Sequence, residues 1–426
     1  MSLGLGLALV LGLAALGMPL FAVILAVALL GFHLAGYDLI IVAVEVYRLG
    51  DLPGLVAIPL FTLAGYLLGE SGAPKRLVRL SNALLGWLPG GLAIVGIVAC
   101  AFFTAFTGAS GVTIVALGAL LYPALREAGY SERYSLGLVT SAGSLGLLFA
   151  PSLPLILYGF VAGQMGSDPP VTITDLFLAG LVPGLLMVAM LSLHAMWVGR
   201  GVTRSRHRFD TAELARALRE TAWELPLPVI VLGAIYSGAL AASETAAVTA
   251  LYVFVVIVCI KKEITWAKLP GVMAESMRLV GAILMILAAA LALSNWLVDQ
   301  QVPTRLFDWL SRHVDSPWVF LGLLNLFLLA VGMLLDIFSA VVILTPLLLP
   351  VAAGFGIHPV HLGIVMLANL QLGYFTPPVG MNLFIAAYRF GKPIGTLVRA
   401  CWPFFLVLGL AVALVTWWPA LSLSLL

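Results

Sequence analysis

Charge is what this chain has least of: 9% of its 426 residues are Asp, Glu, Lys or Arg and 62% are hydrophobic, where soluble domains hold about 25% and 45–50%. That ratio excludes a water-soluble globular fold and describes an integral membrane protein. Cysteine is scarce too. Cys100, Cys259 and Cys401 lie far apart in apolar runs, with no CxxC spacing and no neighbouring histidine pair, which excludes a disulfide frame and a cysteine metal site and leaves them as packing residues. The first apolar segment has neither a basic leader nor a small-residue cleavage pattern, so it is expected to stay as a membrane helix, with the mature chain starting at or near Met1. A formal net charge of +2 says little by itself, and no nucleic-acid partner is expected; the information lies in where the charges fall.

Length is also missing from many of the apolar segments. These run over 3–33, 53–70, 91–106, 111–125, 135–162, 176–199, 225–260, 279–298, 317–335, 337–353, 361–388 and 402–422, and several fall short of the ~20 residues that a spanning helix needs. A shift of 227 residues accounts for the pattern: Pro123 falls on Pro350, Gly129 on Gly356, Leu145 on Leu372, Gly146 on Gly373 and Pro151 on Pro378. Such a period marks two copies of one unit, residues 1–199 and 227–426, joined by a linker at 200–226.

The arginine-rich start of that linker, RGVTRSRHRFDTAELARALR (200–219), belongs in the cytoplasm by the positive-inside rule. The loop 164–175, which has no Lys or Arg, then falls outside. The cations of 75–79, 126–133, 261–278 and 389–399 can all lie inside only if 225–260 crosses twice, bending near Ala242-Ser243-Glu244, and 3–33 bends likewise near Gly17-Met18-Pro19. Each copy then crosses five times, an odd number, so the copies are inverted and both termini are expected in the periplasm. The expected fold is an all-α integral membrane protein of two inverted repeats. In each repeat an amphipathic arm (73–88, 302–314) lies on the membrane surface, two half-spans form a re-entrant helical hairpin, and the second-last crossing is interrupted. Scaffold helices and arm occupy 1–90 and 227–316, hairpin and interrupted helix 91–165 and 317–388, and the last helices 176–199 and 402–426.

The first hairpin turns at TGASGVT (107–113) and the second at AVGMLLDIFS (330–339). Backbone freed at such a tip must be satisfied by protein, water or ligand, because lipid offers no hydrogen bonds. Gly108 and Gly111 permit the first turn, and Thr107, Ser110 and Thr113 supply hydroxyls. About 35 residues later GSLGLLFAPSLP (143–154) and LGYFTPPVGMN (372–382) interrupt the spanning helices with glycine and proline, leaving carbonyls unpaired. Interrupted helices at corresponding positions of two repeats point to a transporter's binding site near the bilayer midplane. Carbonyls and hydroxyls there can replace the water shell of Na⁺, and half-helix N-termini favour an anionic substrate. Between Trp87 and Leu125 there is no charged residue, and between Pro317 and Tyr388 there is only Asp336. Proton coupling would need titratable groups, so sodium is the expected coupling ion. Asp336 itself reads as ion-site or tip support. Glu244 reads as a helix-start residue or a scaffold functional group. His33, His194, His358 and His361 form no recurring metal pattern and read as interfacial, while Asn295, Asn325 and Asn369 stay open between interhelical bonds and ligand contacts.

Gly108-Ala109-Ser110-Gly111 also fits the short GxSG pattern of rhomboid serine proteases. An intramembrane protease leaves the duplication and both interrupted helices unexplained, and a channel lacks a repeated filter-like run or ring-forming charge, so no enzymatic activity is expected. GMPL (17–20), VAIPLFTLAG (56–65), LPGGLA (88–93), TGASGVT (107–113), GYS (129–131), GSLGLLFAPS (143–152), LGAIYSG with SETAAV (232–248), GMLLDIFSA (332–340), TPLLLPV (345–351), GYFTPPVGMNLF (373–384) and PFFLVLGLAVALVTWWP (403–419) together resemble the large membrane subunit of tripartite ATP-independent periplasmic (TRAP) transporters over almost the full length. The chain departs from that pattern at Ala150, where the family usually has a first proline before Pro151, and at Ser243, where it usually has a proline before the glutamate.

The resemblance implies sodium-coupled import of a small organic acid anion, a carboxylate or sulfonate, across the bacterial inner membrane. It implies an elevator mechanism, with hairpins and interrupted helices moving against a static scaffold. It also implies two partners: a small four-helix membrane subunit on a separate chain, and a periplasmic substrate-binding protein that largely sets specificity. Carried over by position, it puts a first sodium at Gly108, Ser110, Gly143 and Gly146, and a second at Gly332, Asp336, Thr376, Pro377 and Gly380. Substrate would lie between Ser110, Ser144, Ser152, Thr376 and Asn382, with Na⁺ the coupling ion and no organic cofactor. A stand-alone sodium/dicarboxylate symporter of similar architecture is the alternative.

Overall fold

In a water-free medium each backbone N–H must be paired within its own segment, which favours helices throughout. The computed structural model describes residues 10, 12–14, 16–51, 55–201, 210–314 and 316–426, and all regular structure among them is helical. Seven of these helices are long and apolar enough to cross a membrane. The linker arginines Arg204, Arg206 and Arg208, and most of the start of segment 3–33, lie outside the described residues.

Two hairpins are present. In the first, helix Gly91–Thr107 ends at Gly108, which takes a left-handed φ of 63° and donates its N–H to the Thr104 carbonyl at 2.8 Å; one extended residue, Ala109, then leads into helix Ser110–Glu127. Glycine is required at this turn, because a Cβ on Gly108 would come within 2.5 Å of the Leu153 side chain and would be strained at that φ. The second hairpin, Pro317–Leu334 and Ile337–Gly354, turns without glycine through extended Leu335 and Asp336. Asp336 caps the helix that follows, its Oδ1 accepting the Ser339 N–H at 3.0 Å and its Oδ2 the Ser339 hydroxyl.

Each hairpin is followed by an interrupted helix. Glu132–Ala142 breaks into a 3₁₀ turn, Leu145–Leu148, and restarts as Leu153–Gln164; Pro359–Gly373 unwinds over 374–380 and restarts as Met381–Phe390. Cis peptide bonds precede Pro151 and Pro378. These two rods form the centre: every residue of Pro359–Gly373 is buried, and 83% of the most apolar window of Glu132–Gln164 is, against 28% for Pro317–Leu334 and 39% for Ile394–Trp417. Their polar residues satisfy themselves along the helix, as where Thr140, Ser141 and Thr376 donate to the carbonyls of Leu136, Gly137 and Leu372 at 2.7 Å each.

The bend expected near Ala242 is a break between helices Pro226–Tyr236 and Ala242–Phe254. There Glu244 accepts the Ala241 N–H at 2.8 Å, so its role is to start the helix. The arms are the short helices Ala73–Leu85 and Val302–Ser311. Several cationic segments are held by carboxylates from elsewhere in the chain: Arg76 and Lys261 share Glu224, Arg79 pairs with Glu213 and Glu220, and Lys392 pairs with Glu132.

Several boundaries differ from expectation. The last helix, expected over 402–426, runs from Ile394 to Trp417 and is followed by the short helix Ala420–Leu423; Pro403 lies inside it, and polar Thr396 and Arg399 occupy its first turns, which masked its start. The linker contains a helix, Thr211–Glu220, capped by Asp210. Ile40–Arg48 is an additional helix, and Leu269–Asp299 is one rod of 31 residues, because its charged start projects outward rather than ending the helix. His361, expected to be interfacial, is buried in the protein, with Ser422 Oγ 2.6 Å and the Thr416 carbonyl 3.2 Å from its two ring nitrogens. Cys259 faces outward, while Cys100 and Cys401 are buried.

Candidate functional site

The two tips meet. Ser110, the first residue of its helix, donates its hydroxyl to Asn382 Oδ1 at 2.7 Å, and Asn382 donates from Nδ2 to the Thr140 carbonyl at 3.3 Å. The first tip is therefore tied to both interrupted helices through one amide side chain. At the second tip the N–H of Ile337 donates to the Tyr374 hydroxyl at 2.6 Å, and the backbone of the unwound stretch closes on the hairpin where the Gly380 N–H meets the Met333 carbonyl at 3.0 Å. Asn382 and Tyr374 are themselves joined, N–H to carbonyl, at 2.8 Å. The second interrupted helix holds both tips, the second through its unwound stretch and the first through the start of its restarted half.

Between the tips lies a cavity of about 450 Å³, within the range of small-molecule sites. Gly108 to Val112 form one side, Asp336, Ile337 and Phe338 a second, and Tyr374, Met381 and Ile385 a third; Tyr66 and the Leu279 to Ile286 face of the long rod close it. The helix beginning at Ser110 has no side-chain cap. Its first residues, Ser110, Gly111 and Val112, line the cavity, and a helix start at that position favours an anion. Asp336, whose carboxylate is held by Ser339, lines the cavity as well.

Of the residues singled out in the sequence, Gly108, Ser110 and Asp336 line the cavity. Asn382 stands directly behind Ser110, fully buried. Gly143 gives its carbonyl to the Thr104 hydroxyl at 2.8 Å; with that proton committed, Thr104 accepts from Thr113 at 2.6 Å. Gly146 is a close-approach position, since a Cβ there would sit 2.6 Å from Thr104 Cβ. Gly332 and Gly373 cross in the same way, a Cβ on Gly373 falling 2.7 Å from Gly332 Cα. Ser144 reaches the Ser141 and Gln371 carbonyls at 3.3 and 3.4 Å, and Ser152 donates to the Leu147 carbonyl. Both serines are buried on backbone partners away from the cavity. Thr376 is buried against its own helix, and Pro377 is exposed. The asparagines resolve into an interhelical set, Asn369 donating to Asn325, which also accepts from Thr416 at 3.1 Å; Asn295 is exposed.

Sequence reasoning missed Tyr374, Tyr66 and the long-rod face. Tyr374 sits inside the quoted run GYFTPPVGMN, and a hydroxyl beside an unwound helix was the available signal. Tyr66 and Leu279 to Ile286 carry only the ordinary pattern of apolar spans. Among the described residues no group of three His, Cys, Asp or Glu could hold a metal, so a cation here would have to rest on neutral oxygens together with Asp336.

A family model described as the DctM component of the tripartite ATP-independent periplasmic transporter matches residues 7–421. The C4-dicarboxylate TRAP transporter large permease protein DctM of Pseudomonas aeruginosa is 34% identical over 384 residues, covering 90% of this chain and 88% of that protein. The isethionate TRAP transporter permease protein DctMQ of Oleidesulfovibrio alaskensis is 34% identical over 367 residues, covering 85% of this chain and 56% of its own length. Among solved structures, the YdaH transporter of Alcanivorax borkumensis superposes with a TM-score of 0.61 over 88% of each chain at 17% identity, a likeness of fold.

Proposed function

Because the chain belongs to the DctM family of tripartite ATP-independent periplasmic transporters, we propose that this multi-pass membrane protein imports a small organic acid anion into the bacterial cytoplasm by sodium symport and an elevator movement. The observation that carries this is the single cavity shared by both hairpin tips and the second unwound stretch. A binding site built from broken helices of two repeats is the arrangement of secondary transporters. Relatives named for C4-dicarboxylate and for isethionate make small carboxylates and sulfonates the substrate class, and the uncapped start of the Ser110 helix is the natural seat for the anionic group.

Sodium is favoured by what the cavity lacks. It holds one acidic side chain and no histidine, lysine or arginine, which leaves little to carry protons, whereas carbonyls, hydroxyls and one carboxylate suit a hard cation. Gly108, Ser110, Gly143 and Gly146 would hold one ion and Gly332, Asp336, Thr376, Pro377 and Gly380 the other. When bound, the ions would offset the charge of substrate and Asp336, and Asn382 and Tyr374 would keep the two tips in register. The hairpins and interrupted helices would move as one body along the scaffold of 1–90 and 227–316, the two repeats being inverted, with cationic loops in the cytoplasm and both termini in the periplasm. A small four-helix subunit would pack on the scaffold, and a periplasmic binding protein would deliver the acid.

Uptake of radiolabelled organic acids into proteoliposomes tests this. Import is expected only with a sodium gradient, the small subunit and the binding protein together. Ser110→Ala and Asp336→Asn should each lower it by roughly tenfold or more, the effect of losing about 1.4 kcal/mol of ion or substrate binding. Import by the large subunit alone, or driven by protons alone, sinks the reading.

A further inference from the structure

The cavity wall narrows what it can hold, on the reading above that it receives the organic anion. Apart from Ser110, Asp336 and Tyr374, the side chains that the hairpins and the second interrupted helix bring to the cavity are apolar: Val112, Ile337, Phe338, Met381 and Ile385. The opposite wall, Leu279 to Ile286, is apolar as well, but a sliding contact would make it so in any elevator. The tip-side residues have no such reason, because they would travel with the substrate.

No Lys, Arg or His lines the cavity, and its one acidic side chain is Asp336. A second carboxylate on the substrate would therefore face one of two costs. Against the apolar wall it would lose its hydration without a partner; beside Asp336 it would meet a like charge. A sodium ion on Asp336 would cancel the repulsion and still leave the wall with nothing to pair a second anion. We propose that the substrate is a monocarboxylate with an apolar body, its carboxylate at the Ser110 tip and its body against Phe338, Met381 and Ile385, rather than a dicarboxylate.

Ile385 is the sharpest probe, because it packs over the first tip: a Cβ added to Gly111 would lie 2.7 Å from Ile385 Cδ1. The experiment measures thermal stabilisation of the large subunit with its small subunit in lipid nanodiscs. The binding protein is left out, since it would impose its own selection. Titrations of 4-methylpentanoate, phenylacetate, succinate and isethionate are compared at one sodium concentration and in sodium-free buffer. The two apolar monoacids are expected to saturate at concentrations at least about tenfold below succinate. Ile385→Val should weaken them roughly fourfold, and Ile385→Ala by tenfold or more, as methylene contacts are lost; the valine variant keeps the fold if the alanine one does not. Succinate binding as tightly as the apolar acids, or affinities that ignore both substitutions, would overturn the proposed class and leave the organic-acid reading intact. No stabilisation by any of the acids, with or without sodium, would overturn that reading together with the proposal.

Discussion

The N–H of Ile337 is one of the first-turn donors that a helix cannot satisfy by itself, and the hydroxyl of Tyr374 takes it at 2.6 Å. Removing that hydroxyl leaves a buried donor unpaired, which costs about 1–3 kcal/mol and should loosen the second tip against the unwound stretch. Tyr374→Phe is therefore expected to raise KM, or the sodium concentration at half-maximal uptake, by roughly fivefold to tenfold while kcat stays within about twofold. A fall in melting temperature with both constants unchanged would make Tyr374 a packing residue only. This bond also marks where sequence reading stops. Ser110 and Asp336 were legible because a polar residue stands out in an apolar run and at a helix start. The partners of Ser110 and of the Ile337 N–H beside Asp336 come from 272 and 37 positions away along the chain, and nothing local in Asn382 or Tyr374 says which tip it serves. Ser144 and Ser152 show the converse: hydroxyls beside a broken helix look like ligand contacts, yet here they satisfy carbonyls of the break itself.

Arms and linker illustrate what an element needs besides apolar patterning. The first arm is pinned by Arg76, which bridges Glu224 and Glu263 at 2.5 Å each, while Lys261 reaches Glu224 at 2.8 Å; the Glu224 side chain is only 2% exposed. Deleting one partner of a buried pair leaves the other charge uncompensated, so Arg76→Gln is expected to cost about 3 kcal/mol or more, read as a drop of several degrees in Tm in detergent. A silent Arg76→Gln would mean that Lys261 alone satisfies Glu224. Glu263 adds a pH dependence. Burial would raise its carboxyl, but hydrogen bonds from Arg76 and from the Gly72 N–H outweigh that and hold it below its ordinary 4.5. A carboxylate with a depressed pKa contributes stability above 4.5 and loses it as pH falls through its folded value. The Tm advantage of the native protein over Glu263→Gln should thus be full at pH 7 and shrink below pH 4.5; an advantage that is flat with pH would remove Glu263 from the clamp. The linker helix Thr211–Glu220 escaped the sequence reading because it has no apolar stripe of membrane length; it is capped by Asp210, buries Ala217 and pairs with Arg79 through Glu213 and Glu220.

At the scale of the molecule, hairpins and broken helices were readable because glycine and proline punctuate them, and the 227-residue shift links the starts of helices Ser110–Glu127 and Ile337–Gly354. The shift fails at the last helices, which start at Ile173 and Ile394, since the loop before the second is only 391–393 while the first spans 165–172; a loop can shorten without cost to the core. Whether the hairpins slide past the scaffold can be asked at Gly65. A Cβ there would come within 2.6 Å of Thr107 Cα, at the end of the first hairpin's leading helix, and backbone at that distance has no rotamer by which to move aside. If hairpin and helix Ala57–Glu70 are two bodies, Gly65→Ala penalises only the position in which they touch, and the protein escapes by populating another. A cysteine introduced by Val112→Cys, with exposed Cys259 replaced by serine, would then change the side of the membrane from which an impermeant thiol reagent reaches it, with a Tm loss under about 2 °C, since the clash is relieved rather than endured. If they form one body, the clash cannot be relieved by sliding: labelling keeps its side, and the whole cost appears as lost stability.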